Sequence, residues 1–201
     1  MKNYGFNKLC KTLERKNYAV FLGDAMPFNL NIVGVRSKNP KPNKFNDTLC
    51  VFWKHEGLKT LLQFQITTLP GLHWLKKPMN PKGCAILKPG QYRRSYILRL
   101  HRGKYLALCQ NKDVTVYRDD DKDTEWDMLD VTETTGMYGI NIHRASAYTE
   151  LDNVGLYSAG CQVFSNPEEF SFFINLCERS QELWGENFTY TLINEEDYEM
   201  E

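Results

Sequence analysis

Nowhere in this chain do apolar residues run unbroken for the ~20 positions a helix needs to cross a bilayer, so no membrane span is predicted. Neither sign of charge is in excess. Lys+Arg and Asp+Glu both number 25, which leaves no global field to gather nucleic acid and no acidic surplus of the kind that keeps a chain unfolded. Cysteine pairs are missing too. Cys10, Cys50, Cys84, Cys109, Cys161 and Cys177 stand singly without CxxC spacing, which excludes a dense disulfide scaffold and points to a reducing compartment. No secretory leader is predicted in the first residues. Met1 to Leu22 carries charges through Lys16 and instead sets Phe6, Leu9, Cys10 and Leu13 at helical spacing, so the expected place of synthesis is the cytoplasm.

What is present suffices for one well-filled core and is short for two. With 201 residues and 42% hydrophobic, the chain reads as a single domain over 1–201. Residues 1–22 form a helical lead, 29–183 the core, and 194–201 an acidic tail expected to fray. From Asn29 the hydrophobic period shortens to that of strands. NLNIVGVRS alternates, SKNPKPNKFND is a loop, and TLCVFWKHEGLKTLLQFQITT is a hairpin turned at His55-Glu56-Gly57. Further strands follow in CAIL, in SYILRLHRGKYLALCQ broken at Arg102-Gly103, in DVTVY and in FTYTLI. One strong helix is predicted between them. Asn166 caps it, Pro167, Glu168 and Glu169 suit its first turn, and Phe170, Phe173, Ile174, Cys177 and Leu183 form its apolar stripe. The class is therefore mainly β, a β-rich α+β arrangement with a helix packed behind a cysteine-bearing turn.

The residues with chemistry gather between Gly139 and Phe164, in GINIHRASAYTELDNVGLYSAGCQVF. A thiol attacks mainly as thiolate, so it needs a base nearby and donors for the oxyanion that forms after attack. Cys161 is the candidate nucleophile and His143, at the end of a strand-like run, the candidate base. Small Ser158 and Gly160 complete the candidate catalytic set at a turn where amides could approach an oxyanion, although a serine there also serves as a backbone clamp. Arg144 and Tyr148, on the connection from base to nucleophile, and Gln162 beside the cysteine are candidate substrate contacts; Arg144 is equally suited to a solvated strand end. His101 is the competing histidine, in an apolar run beside Arg102. No metal or cofactor is predicted. One Cys and one His lack a third ligand at metal spacing, and Asp119, Asp121, Asp123 and Asp130, though spaced as ligands of a calcium loop, have Thr124 where that loop turns on glycine and read as a solvated acidic loop.

The same segment resembles the signature of the YkuD-type L,D-transpeptidase family: a histidine, a gap of roughly fourteen to seventeen residues, then Ser/Thr-His-Gly-Cys, a hydrophobic residue and Asn/Arg. His143, Ser158, Gly160 and Cys161 match it, with fourteen residues between His143 and Ser158, while Ala159, Gln162 and Val163 depart from it. The resemblance implies a YkuD-like catalytic fold in which the cysteine attacks the carbonyl of a peptidoglycan stem peptide and the histidine takes its proton. The acyl group then passes to an amine, giving a cross-link, or to water, giving cleavage. Two features tilt the expectation toward a hydrolase of the endolysin kind, delivered to the cell wall by another agent: no export signal is predicted, and Gln162 follows Cys161 where the family favours a hydrophobic residue. Similarity of GINIHRA and SAGCQVF to L,D-transpeptidase-like proteins of phages and gut bacteria supports it. The other outcomes are an L,D-transpeptidase proper and a non-catalytic wall-binding or virion structural protein that keeps the fold. The expected partner is the stem peptide, with neither nucleic acid nor membrane.

Overall fold

The computed structural model describes residues 2–126 and 132–200. Its architecture is β-rich, and its main sheet closes into an eight-strand barrel in the order β1-β11-β5-β6-β9-β10-β3-β2. The barrel strands are β1 (Asn31–Arg36), β2 (Asp47–His55), β3 (Leu58–Thr67), β5 (Gly90–His101), β6 (Tyr105–Gln110), β9 (Ile142–Arg144), β10 (Gln162–Phe164) and β11 (Phe188–Asn194). A second sheet, in the order β4-β7-β8, comprises β4 (Cys84–Leu87), β7 (Val114–Asp119) and β8 (Thr132–Gly136). Closure removes the free edges that an open sheet of this size would expose.

The β2–β3 hairpin turns where its residue types ask it to. Glu56 and Gly57 both take positive φ, at 48° and 78°, the paired left-handed geometry that matches strand twist. Two neighbour pairs in the barrel are parallel, β1 with β11 and β9 with β10. A parallel pair cannot be joined by a tight turn, so residues 145–161 make a long crossover from β9 to β10. That crossover carries the candidate nucleophile at its end.

A short helix, α2 (Leu72–Lys76), lies between β3 and β4, and helix α3 (Pro167–Trp184) directly follows β10, with Asn166 Oδ1 accepting from the amides of Glu168 at 2.8 Å and Glu169 at 3.2 Å. Its Phe170 and Phe173 rings pack on Phe164 of β10 with centroids 5.4 and 5.3 Å away, so the helix anchors the strand that leads out of the cysteine turn. Burying aromatic rings of this size contributes roughly 2–3 kcal/mol each. Leu183 leaves the stripe and is 39% exposed. Thirteen residues at the helical 100° step place it about 140° from Phe170.

The ends of the chain meet each other. Helix α1 (Phe6–Arg15) buries Leu9, Cys10 and Leu13, and α4 (Glu195–Glu199) replaces the frayed tail expected from the acidic sequence. A cap, ion pairs and an aromatic contact hold it. Asp197 Oδ2 accepts from the Asn194 amide at 3.0 Å, Lys16 Nζ meets Asp197 at 2.7 Å and Lys2 Nζ meets Glu195 at 2.8 Å, while Tyr198 buries its ring against Tyr4. Cations from the first residues thus neutralise a segment whose own charges repel. In the acidic loop, Asp121 and Asp123 cap their neighbours' amides, accepting from Asp123 at 3.0 Å and Glu125 at 2.7 Å; Asp130 lies outside the described residues. Among the described residues no helix is long and apolar enough to cross a membrane.

Candidate active site

The β9–β10 register sets Gln162 opposite Ile142 and Val163 opposite His143, so the cysteine turn enters the sheet beside the strand that carries the histidine. Both Cys161 and His143 line one cleft of about 470 Å3 between the barrel and the β4-β7-β8 sheet. The turn itself is fixed by close packing. Gly160 has φ +127°, and a Cβ there would lie 1.8 Å from the Ala85 carbonyl oxygen, so only glycine fits against β4.

Ser158 acts within that turn. Its buried hydroxyl donates to the Cys161 carbonyl at 2.9 Å and accepts from the Gly160 amide at 3.1 Å, while its own carbonyl accepts from Gly71 at 3.0 Å. The Gly160 N–H, an oxyanion donor on sequence grounds, is therefore occupied by the serine clamp. The Gln162 N–H is occupied as well, by the Asn141 carbonyl at 2.9 Å.

His143 is 4% exposed and its tautomer follows from its partner. Nδ1 lies 2.8 Å from the Arg144 carbonyl oxygen, which can only accept, so Nδ1 carries the hydrogen and Nε2 of the neutral ring holds the lone pair. Tyr105 Oη donates to the same carbonyl at 3.4 Å. The ring of His101, at the end of β5, stacks on His143 with centroids 4.4 Å apart and planes at 19°. Its tautomer is the opposite one. Asn141 Oδ1 accepts from the Gln110 amide at 2.9 Å, so Asn141 Nδ2 is the donor to His101 Nδ1 at 3.2 Å and the hydrogen of the neutral ring sits on Nε2. Among the described residues neither Nε2 has a hydrogen-bond partner.

These surroundings keep the site uncharged at rest. Burial first, and the neighbouring His101 second, lower His143 to about 3. Burial lowers His101 as well, with Arg102 adding to it. Cys161 is densely surrounded yet partly exposed on its cleft side, and burial pushes its thiol up to about 11 against the opposing pull of the Asn141 backbone N–H. Its Sγ donates to the Gly139 carbonyl at 3.3 Å. The cleft thus holds a neutral thiol and a neutral imidazole. Such a pair can act by moving the proton as the sulfur attacks, without a standing thiolate.

The other candidates are placed elsewhere. Arg144 lies over the Tyr105 ring at 4.3 Å, Tyr148 is 92% exposed near Pro167 and Phe172, and Gln162 is fully buried between Tyr190 Oη at 2.9 Å and the Gly160 carbonyl at 3.3 Å. None of the three lines the cleft. The cleft's charged residues are Arg102 and Arg118, and no acidic side chain lines it among the described residues. Arg118 is held by Thr134 Oγ1 at 3.1 Å, the Gly83 carbonyl at 3.3 Å and the Tyr138 ring, which leaves Arg102 as the exposed cation of the cleft. Asn141 had a signal in the sequence, since position i−2 on a strand shares a face with His143. Arg102 had none, because nothing local says that the β5–β6 turn reaches the cysteine. No protein-family model, curated protein or solved structure matches the chain.

Proposed function

We propose that the chain is a cysteine acyl-transfer enzyme of YkuD-like L,D-transpeptidase type, acting on peptidoglycan stem peptides and passing the acyl group to water. The observation that carries this reading is that Cys161 shares one cleft with a histidine whose Nδ1 is held by a carbonyl, which leaves the lone pair of the neutral ring on Nε2. As the Cys161 sulfur adds to the carbonyl, its proton passes to His143 Nε2. The resulting imidazolium gives that proton to the departing amine, and the acyl-enzyme is opened by a water that His143 deprotonates in turn. The sulfur leaves as the thiol and the cycle closes. A cleft with two cations and no described carboxylate suits a substrate that carries free carboxylates, as stem peptides do.

Mass spectrometry of muropeptides incubated with the protein tests this. Shortened stems and an acyl adduct on Cys161 are expected; cross-linked products would reassign the acceptor from water to an amine. Intact muropeptides with an unmodified Cys161 would overturn the reading. One observation favours the alternative of a non-catalytic wall-binding protein, namely a thiol held near 11. The two separate on alkylation: a working Cys161 reacts faster than the five other cysteines, all buried, because His143 accepts its proton.

A further inference from the structure

The two stacked histidines face the cleft with opposite chemistry, one offering a lone pair and the other a hydrogen. We infer that His101 is a second catalytic residue, whose Nε2–H donates to the carbonyl oxygen of the substrate and to the oxyanion that forms when Cys161 attacks. The inference rests on the acyl-transfer reading of Cys161 and deepens it.

Three observations support it. Asn141, itself fixed by the Gln110 amide, donates to His101 Nδ1 at 3.2 Å, which places the hydrogen on Nε2. The ring lines the cleft beside Cys161 and His143, and Nε2 has no partner among the described residues. Two of the turn amides that could have served instead are engaged, Gly160 by Ser158 Oγ at 3.1 Å and Gln162 by the Asn141 carbonyl at 2.9 Å, so a side-chain donor adds what they do not supply. A preorganised neutral donor is what an oxyanion site requires, because it strengthens its bond as charge develops and needs no reorganisation. His101 also suits the role by staying neutral. Burial and Arg102 both disfavour its imidazolium, so His143, 4.4 Å away, can take up the thiol proton without facing a second positive ring. In the step itself, the sulfur–carbon bond forms, the carbonyl π pair moves onto oxygen under the His101 N–H, and the thiol proton goes to His143 Nε2. His101 keeps its hydrogen throughout.

The experiment uses two probes on the full chain. Acylation of Cys161 by p-nitrophenyl acetate, followed through released nitrophenolate, creates an oxyanion; alkylation by iodoacetamide, followed by peptide mass spectrometry, does not. His101→Phe keeps a flat ring against His143 and loses the donor, so acylation should fall about 100-fold while alkylation stays within about twofold. His101→Gln restores an N–H of similar reach and should recover about tenfold of the loss. His143→Gln should slow both reactions. The role is overturned if His101→Phe acylates like the parent, or if acylation and alkylation fall together in His101→Phe and His101→Gln alike, which would make the ring a prop for His143. A parent protein whose Cys161 alkylates but never acylates would overturn the acyl-transfer reading itself, and this role with it. That result is told apart from failure of the His101 role alone because it appears before any variant is made.

Discussion

Two buried polar clusters occupy this barrel, and they differ in what they leave unpaired. Around Thr68, every contact is internal: Asp47 accepts from the Ser37 amide at 2.8 Å and from the Thr68 amide and hydroxyl at 2.7 Å each, while Arg36 donates to Thr68 Oγ1 and to the Leu87 carbonyl at 2.9 Å each. Burial pushes the Asp47 carboxyl up and the Arg36 guanidinium down from their ordinary values, a cost that the bridging hydroxyl and amides offset. Around Cys161, by contrast, the Nε2 atoms of His101 and His143 have no partner among the described residues, and both rings line the cleft with the thiol. A satisfied cluster contributes to holding a fold together, whereas one with free donors and acceptors is equipped to bind and react. Variants should therefore separate stability from activity along this line.

The largest effect is expected at the open cluster. Cys161→Ala should lower turnover of stem peptides by at least about 10^4-fold while shifting the thermal midpoint by no more than about 2 °C, as measured by calorimetry beside the muropeptide assay. Substantial residual turnover would move the nucleophile elsewhere. At the closed cluster the pattern should invert. Thr68→Val keeps the volume but leaves Arg36 and Asp47 each short of a partner, so urea unfolding should show a loss of about 2–4 kcal/mol, with the activity of the folded fraction retained.

Acid should expose the cost of keeping His143 neutral. Its folded pKa, about 3, lies below its ordinary 6.5, so between those values the unfolded chain binds a proton that the folded one refuses. The stability this neutral ring contributes is complete above about 6.5 and is lost as pH falls toward 3. In His143→Gln the slope of unfolding free energy against pH across that window should be shallower by up to about 1.4 kcal/mol per pH unit. An unchanged slope would mean that the ring already titrates normally in the fold. The smallest effect belongs to Arg102. Because its side chain is exposed, Arg102→Ala should raise KM for a carboxylate-bearing stem peptide only about three- to tenfold with kcat little altered, and added salt should reduce the difference between variant and parent.

Much of this was legible before any coordinates. The alternation of apolar residues named most of the strands though not β8 or β10, Glu56-Gly57 named a turn, and Asn166-Pro167 named the start of α3, because period, positive φ and capping are short-range properties carried by neighbouring residues. The candidacy of His143 and Cys161 was legible for a related reason. A histidine at a strand end and a cysteine in a turn of small residues form a pattern confined to 26 positions, from Gly139 to Phe164.

Only the tertiary structure decided what surrounds that pair. The barrel's strand order sets β6 between β5 and β9, which stacks His101 on His143 and puts Arg102 of the β5–β6 turn at the cleft, and no hydrophobic period encodes which strands become neighbours. The same long-range packing turned Arg144 onto Tyr105, drew Gln162 into the core and docked the acidic tail on the first helix. Protonation belongs to this level as well. The sequence by itself determined that a thiol and an imidazole were available; whether they rest as ions or as neutral groups depends on how much water the fold removes from them, which is a property of the packed barrel and of no single residue.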